Sequence, residues 1–168
     1  MVAVVLGGGT GTRFGAARPK QLLILDGKTL VEHCVSAFAG VPRNDSGHGI
    51  DEILLVMPSS YHDEAKRLVG SQVSAIIEGG ATRSDSVRNA LAFIAARYDE
   101  AETGVLIHDA ARPLVDAGLI ERTLAAQFQN VKGKTVEDFR DLSTLVIIYP
   151  PQYKSGEVIY PYEKAIAK

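Results

Sequence analysis

Residues 6–21 read LGGGTGTRFGAARPKQ, and the apolar run VAVVL at residues 2–6 leads into them. An unbroken apolar run of this length, followed by a glycine-dense turn, predicts a strand buried on both faces that ends in a ligand-facing loop. Gly7, Gly8, Gly9 and Gly11 fall within five residues, and Arg13, Arg18 and Lys20 all precede the first carboxylate, Asp26. Without a Cβ, backbone N–H groups approach a ligand closely. At a strand-to-helix turn such groups favour anions, phosphates above all, and the nearby cations add to that preference. A polyphosphate site at the amino end is the first expectation.

Other glycine motifs do not fit. The dinucleotide pattern GxGxxG would need its third glycine where Thr12 or Phe14 stands, and the P-loop pattern would need glycine before Lys20, where Pro19 stands. What remains is GxGxR followed by PKQ. The bland alternative is a tight turn with solvated cations.

Outward from this stretch, the chain alternates strand and helix patterns. Strands are predicted at residues 53–57, 73–77 and 105–107, with residues 22–25 a short apolar strand or turn. Helices are predicted at residues 28–39, 58–69, about 84–98 and 117–129, from apolar stripes such as Val31, Cys34, Val35 and Phe38. Ser84 or Asp85 is the expected cap of the third helix and Asp116 that of the fourth. Residues 40–49 read as a surface loop. Residues 145–148 have strand character, and residues 150–151, both proline, stop it. This alternation predicts an α/β fold, a doubly wound and mostly parallel sheet of Rossmann-like architecture. In such sheets ligands bind outside the carboxyl ends of the strands. The loop after residue 6, GGATRSDS at 79–86 and HDAARP at 108–113 all fall there, so they are expected to form one site.

Composition narrows the function classes. A chain of 168 residues is expected to be a single domain with a full core. The net charge of -2 lacks the basic excess of a general nucleic-acid binder. Cys34 is the only cysteine, which excludes an intrachain disulfide and a cysteine metal cluster; it reads as a small core residue. No apolar run approaches a membrane span and the start lacks signal-peptide character, so a cytoplasmic protein is expected.

Single residues leave alternatives open. Asp109, after a buried strand, suits Mg²⁺, which is usually held by one or two carboxylates plus substrate phosphates; a helix cap or an ion pair with Arg112 suits it equally. His108 reads as structural, because no Ser or Cys is paired with it by motif. His33, His48 and His62 show no metal-ligand spacing. Arg83 and Ser86, at a helix start, could meet a nucleobase or sugar, although ordinary capping explains them as well.

In this order, LGGGTGTRFGAARPKQ, GGATRSDSV and HDAARP resemble the 2-C-methyl-D-erythritol 4-phosphate cytidylyltransferases and the related ribitol-5-phosphate cytidylyltransferases. The similarity covers residues 1 to about 128. It implies a nucleotidyltransferase of the nucleotide-diphospho-sugar transferase kind, CTP as substrate, Mg²⁺ as cofactor, a sugar-alcohol phosphate as acceptor, and a homodimer. By resemblance, the backbone of Gly8, Gly9, Thr10 and Gly11 would cradle the triphosphate, and Arg13 and Lys20 would be the catalytic cations. Gly80, Arg83 and Ser86 would surround cytosine and ribose, Asp109 would bind the metal, and Ala110 and Arg112 would lie towards the acceptor. Ala110-Ala111 looks more like the methylerythritol enzymes, which act in isoprenoid-precursor synthesis, than the ribitol ones.

PPQYKSGEVIYPYEKAIAK, residues 150–168, looks like the family's TPQ segment and following helix, with Pro150 at the threonine position. The protruding arm that the resemblance leads one to expect before it is short here, with Arg140 a loose candidate for its arginine. The family's later acidic TDE-type segment and lysine-bearing unit would lie beyond Lys168, so the sequence is expected to be truncated or internally deleted. Residues 129–168 are therefore expected to be incomplete or divergent. A non-catalytic nucleotide-binding relic and a transferase using another nucleotide are the competing readings.

Overall fold

The computed structural model describes residues 1–8, 18–42, 49–98, 103–128 and 145–148. Its frame is a five-stranded sheet in the order β5-β4-β1-β6-β7, where β1 is Val2–Leu6, β4 Glu52–Met57, β5 Ala75–Glu78, β6 Val105–Asp109 and β7 Leu145–Ile148. The first four run parallel. β7 pairs antiparallel to β6, Val105 facing Ile148 and His108 facing Leu145. The expected strand at residues 145–148 is present, and the sheet is mostly parallel as expected. The chain leaves β1 towards β4 and β5, then returns to β6 on the other side. That reversal opens a crevice beyond the carboxyl ends of β1 and β6.

All five residues of β1 are buried, because helices cover both faces. On one face Ala3, Val5, Leu55, Met57 and Leu106 pack with α1 (Leu30–Ala39), α2 (His62–Val69) and α4 (Ala117–Phe128). On the other, Val2, Val4, Leu54, Val56, Val105 and Ile107 pack with Ala90, Leu91 and Ile94 of α3 (Arg83–Ala95). The period-2 alternation of a strand divides one apolar run between two cores. Ile120 and Leu124 of α4, four residues apart, are inward, and Leu119 N–H donates to Asp116 Oδ1 at 2.7 Å, the expected cap.

Two local expectations are corrected. Residues 28–29 do not begin the first helix. Lys28–Thr29 is strand β3, paired with β2 (Ile24–Leu25) across a two-residue turn. Asp26 and Gly27 both take positive φ, 47° and 78°, the signature of the hairpin turn that Asp-Gly favours. Helix α1 then starts at Leu30 behind a Thr29 capping box with Glu32. The second correction concerns α3. Its cap is Thr82, not Ser84 or Asp85. Asp85 N–H donates to Thr82 Oγ1 at 3.1 Å, and Thr82 N–H donates to Asp85 Oδ2 at 3.0 Å, so Asp85 is the reciprocal partner three residues on.

Candidate active site

The three unusual stretches meet at the crevice. Leu6 and Asp109 are register partners at the ends of β1 and β6, and Ala110 N–H donates to Leu6 O at 2.9 Å, extending the ladder one step beyond the strands. On the other side of β1, Gly7 N–H donates to Val56 O at 2.7 Å and Gly79 N–H to Met57 O at 2.9 Å. The turn after β5 thus folds over the end of β4 and meets the glycine loop. There the glycines are a packing requirement: a Cβ on Gly8 would lie 2.5 Å from Ser86 Oγ, and one on Gly79 would lie 2.9 Å from Gly8 Cα.

Ser86 holds this junction. It is 2% exposed, and its hydroxyl accepts from Gly80 N–H at 3.0 Å while donating to Thr82 O at 3.0 Å. The Gly80 N–H and the Ser86 hydroxyl, two of the groups expected near base and ribose, are therefore engaged in keeping the turn closed. Thr82 is equally central and the sequence reading passed over it; the pattern Thr82-x-x-Asp85 is the signal that finds it. The hydrogen bond from Thr82, first among the causes, holds the Asp85 carboxyl below its ordinary pKa, and Arg88 contributes.

Asp109 lies between two guanidinium groups. Its Oδ1 accepts from Arg83 Nε at 3.0 Å, and its Oδ2 lies 3.4 Å from Arg112 Nε. The ion pair with Arg112 allowed by the sequence is present, and Arg83 joins it from another element. All three side chains are partly exposed, so each pair contributes only about 0–1 kcal/mol. Among the described residues no three His, Cys, Asp or Glu side chains gather into a metal cage. A single reachable carboxylate still fits Mg²⁺ when phosphate oxygens complete the coordination.

HDAARP is anchored from below. His108 is fully buried and structural, as read; its Nε2 donates to Arg112 O at 3.0 Å, and its ring lies 5.5 Å from that of Phe38. Cys34 is a core residue, also as read. Its Sγ donates towards Ala110 O and Arg112 O, both at 3.5 Å, and burial pushes its thiol pKa from 9.0 up to about 12, with the Asp109 charge adding to the effect. Ala110 is fully buried, with its N–H and C=O both spent on the fold.

Lys20 opens the 3-10 turn Lys20–Leu22, where the glycine loop comes back to the sheet. Arg18 is ion-paired with Glu64 of α2. The structure thus brings together Gly8, Gly80, Arg83, Ser86, Asp109, Ala110 and Arg112, with Lys20 on the returning turn. Gly9, Thr10, Gly11, Arg13 and Arg140 lie outside the described residues, as do the PPQ segment and the rest of residues 149–168.

Known proteins share this fold and part of its sequence. Residues 1–138 match the family model described as IspD, 2-C-methyl-D-erythritol 4-phosphate cytidylyltransferase. The Thermobifida fusca protein of that description is 40% identical over 124 residues, 71% of this chain and 47% of its own. The Haemophilus ducreyi one is 32% identical over 168 residues, covering 91% of this chain and 70% of its own. Among solved structures, a 4-diphosphocytidyl-2C-methyl-D-erythritol synthase from Anaerococcus prevotii superposes with a TM-score of 0.60 over 99% of this chain and 75% of its own, at 21% identity, a likeness of fold. The Thermus thermophilus cytidylyltransferase superposes with a TM-score of 0.51 at 30% identity, over 76% of this chain and 50% of its own. The chain spans about half the length of the first curated relatives it matches.

Proposed function

Since the chain belongs to the 2-C-methyl-D-erythritol 4-phosphate cytidylyltransferase family, we propose that it transfers a cytidylyl group from CTP to 2-C-methyl-D-erythritol 4-phosphate and releases pyrophosphate. The observation that carries this reading is the Leu6–Asp109 register, with Gly8, Gly79 and Ser86 closing on the same crevice. It puts Gly8, the described end of the proposed phosphate cradle, on the same crevice as Asp109, the carboxylate proposed for a hard cation.

The reaction asks for positioning and positive charge rather than a protein nucleophile. An acceptor phosphate oxygen forms a bond to the α-phosphorus of CTP, and the bond from that phosphorus to the bridging oxygen of pyrophosphate breaks. Arg13 and Lys20 offset the charge that builds on the phosphoryl oxygens. The backbone of Gly8, Gly9, Thr10 and Gly11 holds the triphosphate, and the turn at Gly80 with Arg83 and Ser86 lies towards the base and ribose. Asp109 would hold Mg²⁺, which when bound supplies charge neutralisation at the triphosphate. To do so, the carboxylate must give up part of its contact with Arg83 and Arg112. Those guanidiniums then become available to ligand phosphates or hydroxyls, Arg112 towards the acceptor. A homodimer is part of the same reading; its support is the family resemblance, and sedimentation velocity tests it.

The test is pyrophosphate release from CTP with 2-C-methyl-D-erythritol 4-phosphate or ribitol 5-phosphate as acceptor. Turnover with the first, and a loss of about 100-fold or more in Lys20→Ala with its thermal midpoint unchanged, are expected. Preference for ribitol 5-phosphate overturns the choice of acceptor. CTP binding without release overturns the catalytic reading and leaves a nucleotide-binding protein. A preference for UTP or GTP overturns the choice of nucleotide.

A further inference from the structure

The glutamine of PKQ takes no part in the chemistry above, yet it links the two ends of the glycine loop. Gln21 follows Lys20 on the Lys20–Leu22 turn and is 4% exposed. Its side-chain amide donates to the Gly7 carbonyl and lies 3.9 Å from Met57 Sδ. Gly7 is itself fixed to β4 through its N–H on Val56 O at 2.7 Å. One buried side chain therefore ties the residue beside Lys20 to the place where β1 opens into the loop, fourteen residues earlier in the chain.

We propose that Gln21 is a positioning residue for the transfer reaction: it fixes the backbone of Lys20 relative to Gly7 and Gly8. This rests on the cytidylyl-transfer reading above. A lysine ammonium rides on a flexible four-carbon stem with costly rotamer freedom, so the position of its Cα decides which phosphate oxygens it reaches. Glutamine suits the tether on two counts. Its NH₂ is a donor facing a carbonyl acceptor, and its length spans from the turn to the end of β1. Glutamate has the same shape but presents oxygen to oxygen, turning attraction into repulsion at a buried point. Methionine fills similar volume and makes no such bond.

Displacing a reacting group by about 1 Å can cost about 100-fold in rate. We expect Gln21→Glu and Gln21→Met each to lower kcat by about 10- to 100-fold, with the KM for CTP changed less than about threefold. Single-turnover rates are measured for both variants in the native background and in Lys20→Ala. If Gln21 acts through Lys20, adding Gln21→Met to Lys20→Ala costs less than about twofold more, because the group to be positioned is gone. An equal loss in both backgrounds, or an unchanged kcat, overturns the proposal. Should Gln21→Glu fail to fold, Gln21→Met carries the test. Absence of turnover in the unaltered chain overturns the functional reading itself, and it is seen before any variant is made.

Discussion

Replacing Gly8 by alanine tests how the site is built. Gly8 does not have positive φ, so its backbone conformation tolerates a Cβ and any cost comes from space. The added methyl would sit 2.5 Å from Ser86 Oγ and 3.3 Å from both Gly79 Cα and Ser86 Cβ. Overpacking of this kind costs about 1–3 kcal/mol. Ser86→Ala removes the acceptor for Gly80 N–H and the donor to Thr82 O, together about 1–2 kcal/mol. The worst clash of the first substitution is with the atom the second removes. The double variant should therefore cost about 2 kcal/mol rather than the sum, a coupling of about 1–2 kcal/mol in favour of the pair. Urea unfolding of the four proteins measures this cycle. For a chain of this size each kcal/mol corresponds to about 2–4 °C in Tm, a second readout. Additive costs within about 0.3 kcal/mol, or a Gly8→Ala variant as stable as the parent, would refute the close approach of the two loops.

Two further outcomes follow from the site's lower half. Asp109→Asn frees Arg83 and Arg112 from their shared carboxylate; it should change stability by less than about 1 kcal/mol, because the pairs are exposed, while weakening Mn²⁺ binding in the presence of CTP, read by electron paramagnetic resonance. The Cys34 thiol, raised from 9.0 to about 12 in the folded chain, stays protonated where the unfolded chain would ionise. The unfolded state then binds fewer protons, so stability is intact below pH 9 and falls between about 9 and 12 by up to about 1.4 kcal/mol per pH unit. Urea midpoints across that range should fall less steeply in Cys34→Ala, and equal slopes would contradict the assignment.

Much of this molecule can be read from its residues, for identifiable reasons. β1 and β4 announce themselves because a strand buried on both faces has to be an unbroken apolar run. The convergence of the three loops follows from strand order, since every parallel strand delivers its carboxyl end to the same edge. The misreadings arise where two local signals compete. At residues 22–29 the apolar run and the following helix stripe concealed Asp26-Gly27, a two-residue hairpin signal in its own right. At the start of α3, Ser84 and Asp85 are good capping residues by type, but reciprocal bonding with Asp85 gives the position to Thr82. The direction of β7 is not written in LVII at all, because parallel and antiparallel pairing present the same alternation along one strand. Likewise the Arg83–Asp109 pair and the Gln21 tether join residues 26 and 14 positions apart, and spacing along the chain is silent about such contacts.

The hydrogen bond from Ala110 to Leu6 has a consequence for motion. Ala110 sits at the rim of the crevice, where amides usually exchange with solvent through small local openings. Its N–H instead continues the ladder between the two central strands, so its protection is tied to theirs. The rim next to the Asp109 carboxylate is in effect part of the sheet. The turn bearing Gly80 is held differently, by the Ser86 hydroxyl and the Thr82 capping box rather than by the sheet ladder.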